Sequence, residues 1–177
     1  MNRQFKKDYY IKFGSIIKVR ILGIKLKMKY YKLFKNVRIF IDYDGCSYSH
    51  IQIYIRKKKG LNRYSAKIII SPAQLSILLE NEPNVIKEDI KLINKAKNKC
   101  NLLEFMLLHE LGHWVDFINN IIKYEKNDII QTKIEEMINT LYEKNEMSYE
   151  RVCSTYMNLP LEARANKIAL LLLDRKL

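Results

Sequence analysis

The stretch LLEFMLLHELGHWVDFINNIIKY, residues 102–124, decides how this chain is read. At its centre stands His109-Glu110-Leu111-Gly112-His113, and Leu102, Leu103, Phe105, Met106, Leu107, Leu108 and Leu111 surround that pentapeptide with apolar side chains. Apolarity on nearly every side predicts a helix buried in the core over Leu102–Tyr124. On a helix, residues i and i+4 share a face, so the two imidazoles point the same way and can ligate one metal ion. Glu110 is one residue along, where its carboxylate reaches a metal-activated water rather than the metal. Two of the chain's three histidines fall in this pattern. The third, His50, lies in a strand-like region and reads as an ordinary surface or turn residue.

Two histidines four apart with a glutamate between them are the arrangement of a catalytic zinc centre, which takes a third protein ligand and keeps one position open. No histidine follows His113, so the third ligand is acidic. Asp116 lies one turn on along the same stripe, but three ligands on one straight helix surround an ion poorly. Glu135 and Glu136 fall on the next amphipathic helix, where solvated charge is the simpler account. Glu162 stands in LEARANKIA, residues 161–169, near the start of a helix whose alanines permit close approach to another helix. A carboxylate in that setting is well placed to meet the histidine pair. Asn166, one turn later, is positioned to accept a ring N–H from a ligating histidine.

Outward from this core the chain changes character twice. Ser71-Pro72-Ala73-Gln74 combines an N-cap serine, a proline at the first helical position and a glutamine at the third, which predicts a helix to about Glu80. A second helix is expected after Asn84, carrying Val85, Ile86, Ile90 and Ile93. Beyond the central helix, another is expected over Asp128–Lys144 with Ile130, Ile134, Met137, Ile138 and Leu141 on its stripe. A short helix follows Ser148, and a last one begins near Pro160. Before Ser71 the periodicity is that of strands. Ile24, Leu26 and Met28 alternate with lysines, Val37, Ile39 and Ile41 alternate up to the turn at Asp42-Tyr43-Asp44-Gly45, and Ile51, Ile53 and Ile55 lead to a charged tip at residues 56–60. Tyr64–Ile70 closes the set. The expected fold is α+β in one domain over residues 1–177: a basic antiparallel meander of three or four strands in residues 1–71, then a helical half over 72–177.

Charge follows the same division. The 177 residues carry 32 Lys+Arg and 19 Asp+Glu, a net charge of +13. Residues 1–67 hold 18 of the cations and 3 of the acids, and the remainder is slightly acidic. Such a face suits an acidic protein or a nucleic acid, or reflects a lysine-rich composition on a solvated sheet. Cys46, Cys100 and Cys153 are odd in number and far apart, which fits neither a CxxC metal pair nor a disulfide framework and is expected of a reducing, cytoplasmic setting. The apolar residues from Phe13 to Met28 are interrupted by Lys18, Arg20, Lys25 and Lys27, unlike an export signal. No run is long enough to span a bilayer as a helix.

The HELGH helix, followed by Glu162-x-x-Ala165-Asn166-x-x-Ala169 and preceded by a strand ending Ile68-Ile69-Ile70-Ser71-Pro72, resembles the ImmA/IrrE family of gluzincin-type metallopeptidases. The likeness extends over about residues 62–177. It departs from the family pattern at Arg164, where a second glutamate is common, at Ile168, where an aromatic is common, and in the spacing of 49 positions from His113 to Glu162, which is longer than usual. The resemblance implies a zincin-like fold, Zn2+ held by His109, His113 and Glu162, and Glu110 as the general base in hydrolysing peptide bonds of an intracellular protein. It further implies that Lys67, Ile68, Ile69 and Ile70 border the substrate cleft, where an extended peptide pairs with the strand. Tyr142, Tyr149 and Tyr156 are the candidates for stabilising the oxyanion. Two other readings stand beside this one: a nucleic-acid-binding sheet with a vestigial zinc site, and a toxin or partner-controlled protein whose basic face docks an acidic inhibitor.

Overall fold

A computed structural model describes residues 17–42, 50–58, 61–70, 91–94, 96, 98 and 100–174. The chain divides into two compact units, Met1–Glu80 and Asn81–Leu177. The helix expected at Ser71–Glu80, most of the one expected after Asn84, the turn residues 43–45, Cys46 and the side chain of Cys153 lie outside the described residues. Of the second expected helix, residues 91–94 are helical. The described protein is α+β and helix-rich, with one three-stranded sheet.

In the first unit, residues 17–29 form a helix, α1, not the strand that the alternation of Ile24, Leu26 and Met28 suggested. Val19, Gly23 and Leu26 are buried and Leu22 is half-buried, a spacing of three and four that only a helix brings onto one face. The lysines between them created a period of two by coincidence. Gly23 lies so close to the sheet that a Cβ there would sit 2.9 Å from Ile39 Cδ1.

The sheet consists of β1 (Val37–Ile41), β2 (His50–Lys58) and β3 (Leu61–Ile70), in the order β1-β3-β2. β2 and β3 form the expected antiparallel pair, but β1 runs parallel to β3, so the meander becomes a mixed sheet. The central strand carries the most buried residues: Ala66, Ile68, Ile69 and Ile70 are all buried, as befits a strand covered by two neighbours. β1 stays in register with it through Ala66 N–H to Asn36 O and Asp42 N–H to Ile70 O, both 2.9 Å. One expectation falls with this order. Residues Lys67–Ile69 are paired to β1 on one side and to β2 on the other, and Ile70 pairs with Ile41. A peptide strand therefore has no free edge to join there; the outer edges of the described sheet belong to β1 and β2.

Besides residues 91–94, the described part of the second unit holds four helices: α2 (Leu102–Asn119), α3 (Ile121–Glu143), α4 (Tyr149–Met157) and α5 (Pro160–Leu173). α2 is capped by Asn101, whose side chain accepts from the Glu104 N–H, and is buried almost continuously from Phe105 to Phe117. The expected break near residues 124–128 occurs instead at Asn120. Its N–H closes α2 on Asp116 O while its side chain accepts from Lys123 N–H and opens α3, a role for which asparagine is strongly suited. α3 consequently turns a different stripe inward. Gln131 and Ile138 are buried while Ile130 and Met137 are exposed. Ser148 caps α4, and α5 starts on Pro160 as expected.

Candidate metal centre

α2 and α5 touch backbone to backbone. A Cβ on Gly112 would lie 2.6 Å from Ala165 O and 3.0 Å from Ala165 Cα. Glycine is the one residue that admits this approach, and buried Ala165 and Ala169 supply the matching small surface on α5. The close contact carries Glu162 and Asn166, both on α5, onto the histidine face of α2.

There three side chains converge. His109 Nε2 lies 3.1 Å from Glu162 Oε2, His113 Nε2 lies 3.2 Å from His109 Nε2, and His113 Nε2 lies 3.6 Å from Glu162 Oε1. The imidazoles meet edge to face at 87°. Among the described residues this is the one group of three or more His, Cys, Asp or Glu side chains able to share a metal ion. The 3.1 and 3.6 Å distances run to different oxygens of Glu162, and one ligand atom from each of the three residues lies within 4.8 Å of the others, near enough for a single small ion with bonds of about 2.0–2.2 Å to draw them together.

Further contacts orient the triad. Asn166 Oδ1 lies 2.7 Å from His109 Nδ1. An amide oxygen only accepts, so Nδ1 carries the proton and the neutral ring turns its Nε2 lone pair inward. His113 has no such support: its Nδ1 is buried without a hydrogen-bond partner among the described residues. On the other side of Glu162 stands Gln131 of α3, buried, donating through Nε2 to Glu162 Oε1 at 3.2 Å and to Glu135 Oε1 at 2.9 Å. Its Oε1 accepts the Leu161 N–H at 3.1 Å. That amide belongs to the first turn of α5, which has no side-chain N-cap of its own, so Gln131 satisfies an otherwise orphaned donor.

The electrostatics express the same convergence. Burial alone would lower the His109 pKa, but the hydrogen bond to Glu162 and the charges of Glu110 and Glu162 outweigh it and raise it to about 9. Burial would raise the Glu162 pKa, but hydrogen bonds and charge from His109 and His113 hold it far below the usual carboxylate range. Without a metal, the triad therefore keeps a proton on His109 at neutral pH, facing an ionised Glu162. Glu110 is buried beside them.

The open alternatives for a third ligand separate by partner. Asp116 accepts from Arg164 Nε at 2.7 Å, Glu135 accepts from Gln131, Glu136 is exposed, and Glu162 joins the histidines. His50 lies in β2 with its Nε2 3.3 Å from the Gln52 amide nitrogen. Of the three tyrosines, the side chain of Tyr149 lies outside the described residues and Tyr142 is exposed. Tyr156 is 42% exposed, much like Tyr142, but its hydroxyl senses the site: desolvation first, then the charges of Glu162, Glu135 and Glu110 and a hydrogen bond with Glu162, push its pKa far above that of an ordinary phenol. It is a neutral donor at any physiological pH. Tyr124, which sequence reasoning did not single out, is shifted upward by burial and then by the charges of Asp128, Glu162, Asp116 and Glu110. Gln131 and Gly112 were also missed. Gly112 had a signal, a glycine inside a strong helix, which usually has a packing reason; Gln131 had none.

Comparison with known proteins returns no relative: no family model, no curated protein and no solved structure matches the chain.

Proposed function

We propose that this chain is a zinc-dependent peptidase of the gluzincin type, with a zincin-like helical unit related to the ImmA/IrrE metallopeptidases. The observation that carries the reading is the convergence of two imidazole nitrogens and one carboxylate, close enough to share one metal ion, beside a second buried carboxylate that is not part of the triad. A purely structural zinc would take four protein ligands; three are assembled among the described residues. His109, His113 and Glu162 hold the ion, which when bound polarises a peptide carbonyl and brings a water's pKa toward neutrality.

The remaining steps belong to the chain's own residues. Glu110 takes a proton from the water as its oxygen attacks the carbonyl carbon, and delivers that proton to the amide nitrogen as the C–N bond breaks. The products are a carboxylate and an amine. Tyr156 donates its hydroxyl hydrogen to the oxygen on which negative charge accumulates. Asn166 keeps His109 in the tautomer that offers Nε2 inward. Gln131 holds one Glu162 oxygen while the other faces His109.

The test is zinc content and peptide hydrolysis measured on wild type and Glu110→Gln, using a pooled peptide library read by mass spectrometry. The expected result is about one zinc per chain in both proteins, with cleavage in wild type alone. A wild-type protein that takes up no zinc, or a Glu110→Gln protein that cleaves at the wild-type rate, overturns the reading.

A further inference from the structure

α1 has two apolar faces, and packing within its unit uses only one. At about 100° per residue, Val19, Gly23 and Leu26 point to the sheet, while Ile17, Ile21, Ile24 and Met28 fall within roughly 60° of arc on the opposite side. These four are 42%, 50%, 60% and 75% exposed, and Tyr31, in the turn just past the helix, is 67% exposed. Large apolar side chains in an unbroken solvent-facing ridge mark an interaction surface. Cations border the ridge on both sides: Lys18, Lys25 and Lys29 along one flank, Arg20 and Lys27 along the other. From residue 17 to residue 41 there are eight Lys+Arg and no Asp or Glu. The ridge continues over Ile24 and Lys27 into a groove of about 350 Å³ that is also lined by Ile39 and half-exposed Phe40.

We infer that α1 docks its unit onto an anionic lipid surface, the Ile17-Ile21-Ile24-Met28 ridge entering the headgroup boundary and the flanking cations meeting lipid phosphates and carboxylates. The chemistry favours this occupant over the others. An apolar ridge flanked by Lys and Arg is the signature of a helix lying in a bilayer interface, and a tyrosine at its end suits the same layer. Lysine stems can bury along the ridge while their ammonium groups reach the headgroups. A second copy would bring like charges together across the pair. A coiled-coil partner needs three or four heptads, and residues 17–29 offer fewer than two. Nucleic acid backbones would engage the lysines but leave the isoleucines without a role.

The experiment is co-sedimentation of the full chain with vesicles of phosphatidylcholine alone and with 30% phosphatidylserine, at low and high salt. Expected is binding to the anionic vesicles at least tenfold above the neutral ones, weakened at high salt. Ile21→Asp with Ile24→Asp should lower it at least tenfold, and Lys18→Gln with Lys25→Gln at least threefold. Far-ultraviolet circular dichroism and zinc content confirm that the variants are folded; if the Asp variant is not, Ile21→Ser with Ile24→Ser takes its place. Absence of sedimentation, equal binding to neutral vesicles, or binding that ignores the ridge substitutions overturns the inference. So does a DNA duplex that displaces the protein from vesicles and binds the ridge variants as tightly as wild type.

Discussion

The two units treat charge in opposite ways. The unit of α2–α5 has taken Glu110, His113, Glu162, Asn166 and Gln131 out of water, and each side chain of the triad faces another across about 3 Å. The unit of α1 and β1–β3 has buried no charged group among its described residues; its cations stand outside, and Lys67 rests its ammonium 3.9 Å from the Phe40 ring centre. Buried polar groups cost free energy unless every partner is in place, so the unit of α2–α5 should be sensitive to single atoms. Solvated cations contribute little individually, so the unit of α1 and the sheet should respond only to their sum.

That contrast can be broken most sharply at Glu162. Glu162→Ala should abolish zinc binding, from about one equivalent to less than a tenth, by elemental analysis; retained zinc would move the third ligand elsewhere. Next comes Gly112→Ala, a single methyl. It forces α2 and α5 apart at a backbone contact and should cost about 1–3 kcal/mol of stability, with a fall in zinc affinity that denaturation and competition titrations would measure. Asn166→Ala and Gln131→Ala should each weaken zinc about 10–100-fold, the second also lowering stability because Leu161 N–H loses its acceptor.

A smaller effect concerns protons. The His109 pKa is raised in the folded, metal-free protein, so its contribution to stability is complete below about 6.5 and disappears as pH rises through about 9. Glu162 is shifted the other way, and its contribution is complete above its ordinary pKa and lost in acid. Metal-free protein should thus be most stable on the acid side of neutrality. Zinc uptake near pH 7 should release about one proton from His109, a release that vanishes above pH 9; calorimetry in buffers of different ionisation enthalpy reads it directly. At the bottom of the scale, Lys18→Gln or Lys25→Gln should alter stability by less than about 0.5 kcal/mol and zinc content not at all.

What could be read from sequence was what is local. Two histidines at i and i+4 share a face in any helix, so His109 and His113 were legible at once. Glu162 and Asn166 were legible because alanines beside them announced a close helix contact. Gln131 was not, since its partners on α5 are 30 and 31 residues away and nothing near it in sequence differs from a surface glutamine. The end of α2 was hidden because Ile118, Ile121, Ile122 and Tyr124 carry the apolar pattern through Asn120 without a gap. α1 was misread because lysine stems between apolar residues satisfy a period of two as readily as one of 3.6. The parallel pairing of β1 could not be inferred from turn signals, which speak only for neighbours in sequence such as β2 and β3.

Asn120 fixes more than the point where two helices meet. As the single residue between α2 and α3, it sets the rotational phase of α3. Gln131 reaches Glu162 because it stands eleven positions beyond that corner, three full turns of helix with a fifth of a residue to spare. One residue inserted after Asn120 would turn Gln131 by about 100° about the α3 axis and leave a different side chain facing α5. The ligands themselves, carried on α2 and α5, would keep their places. The molecule thus clocks its supporting glutamine separately from its triad, and a change of count in α3 can detune the one without dismantling the other.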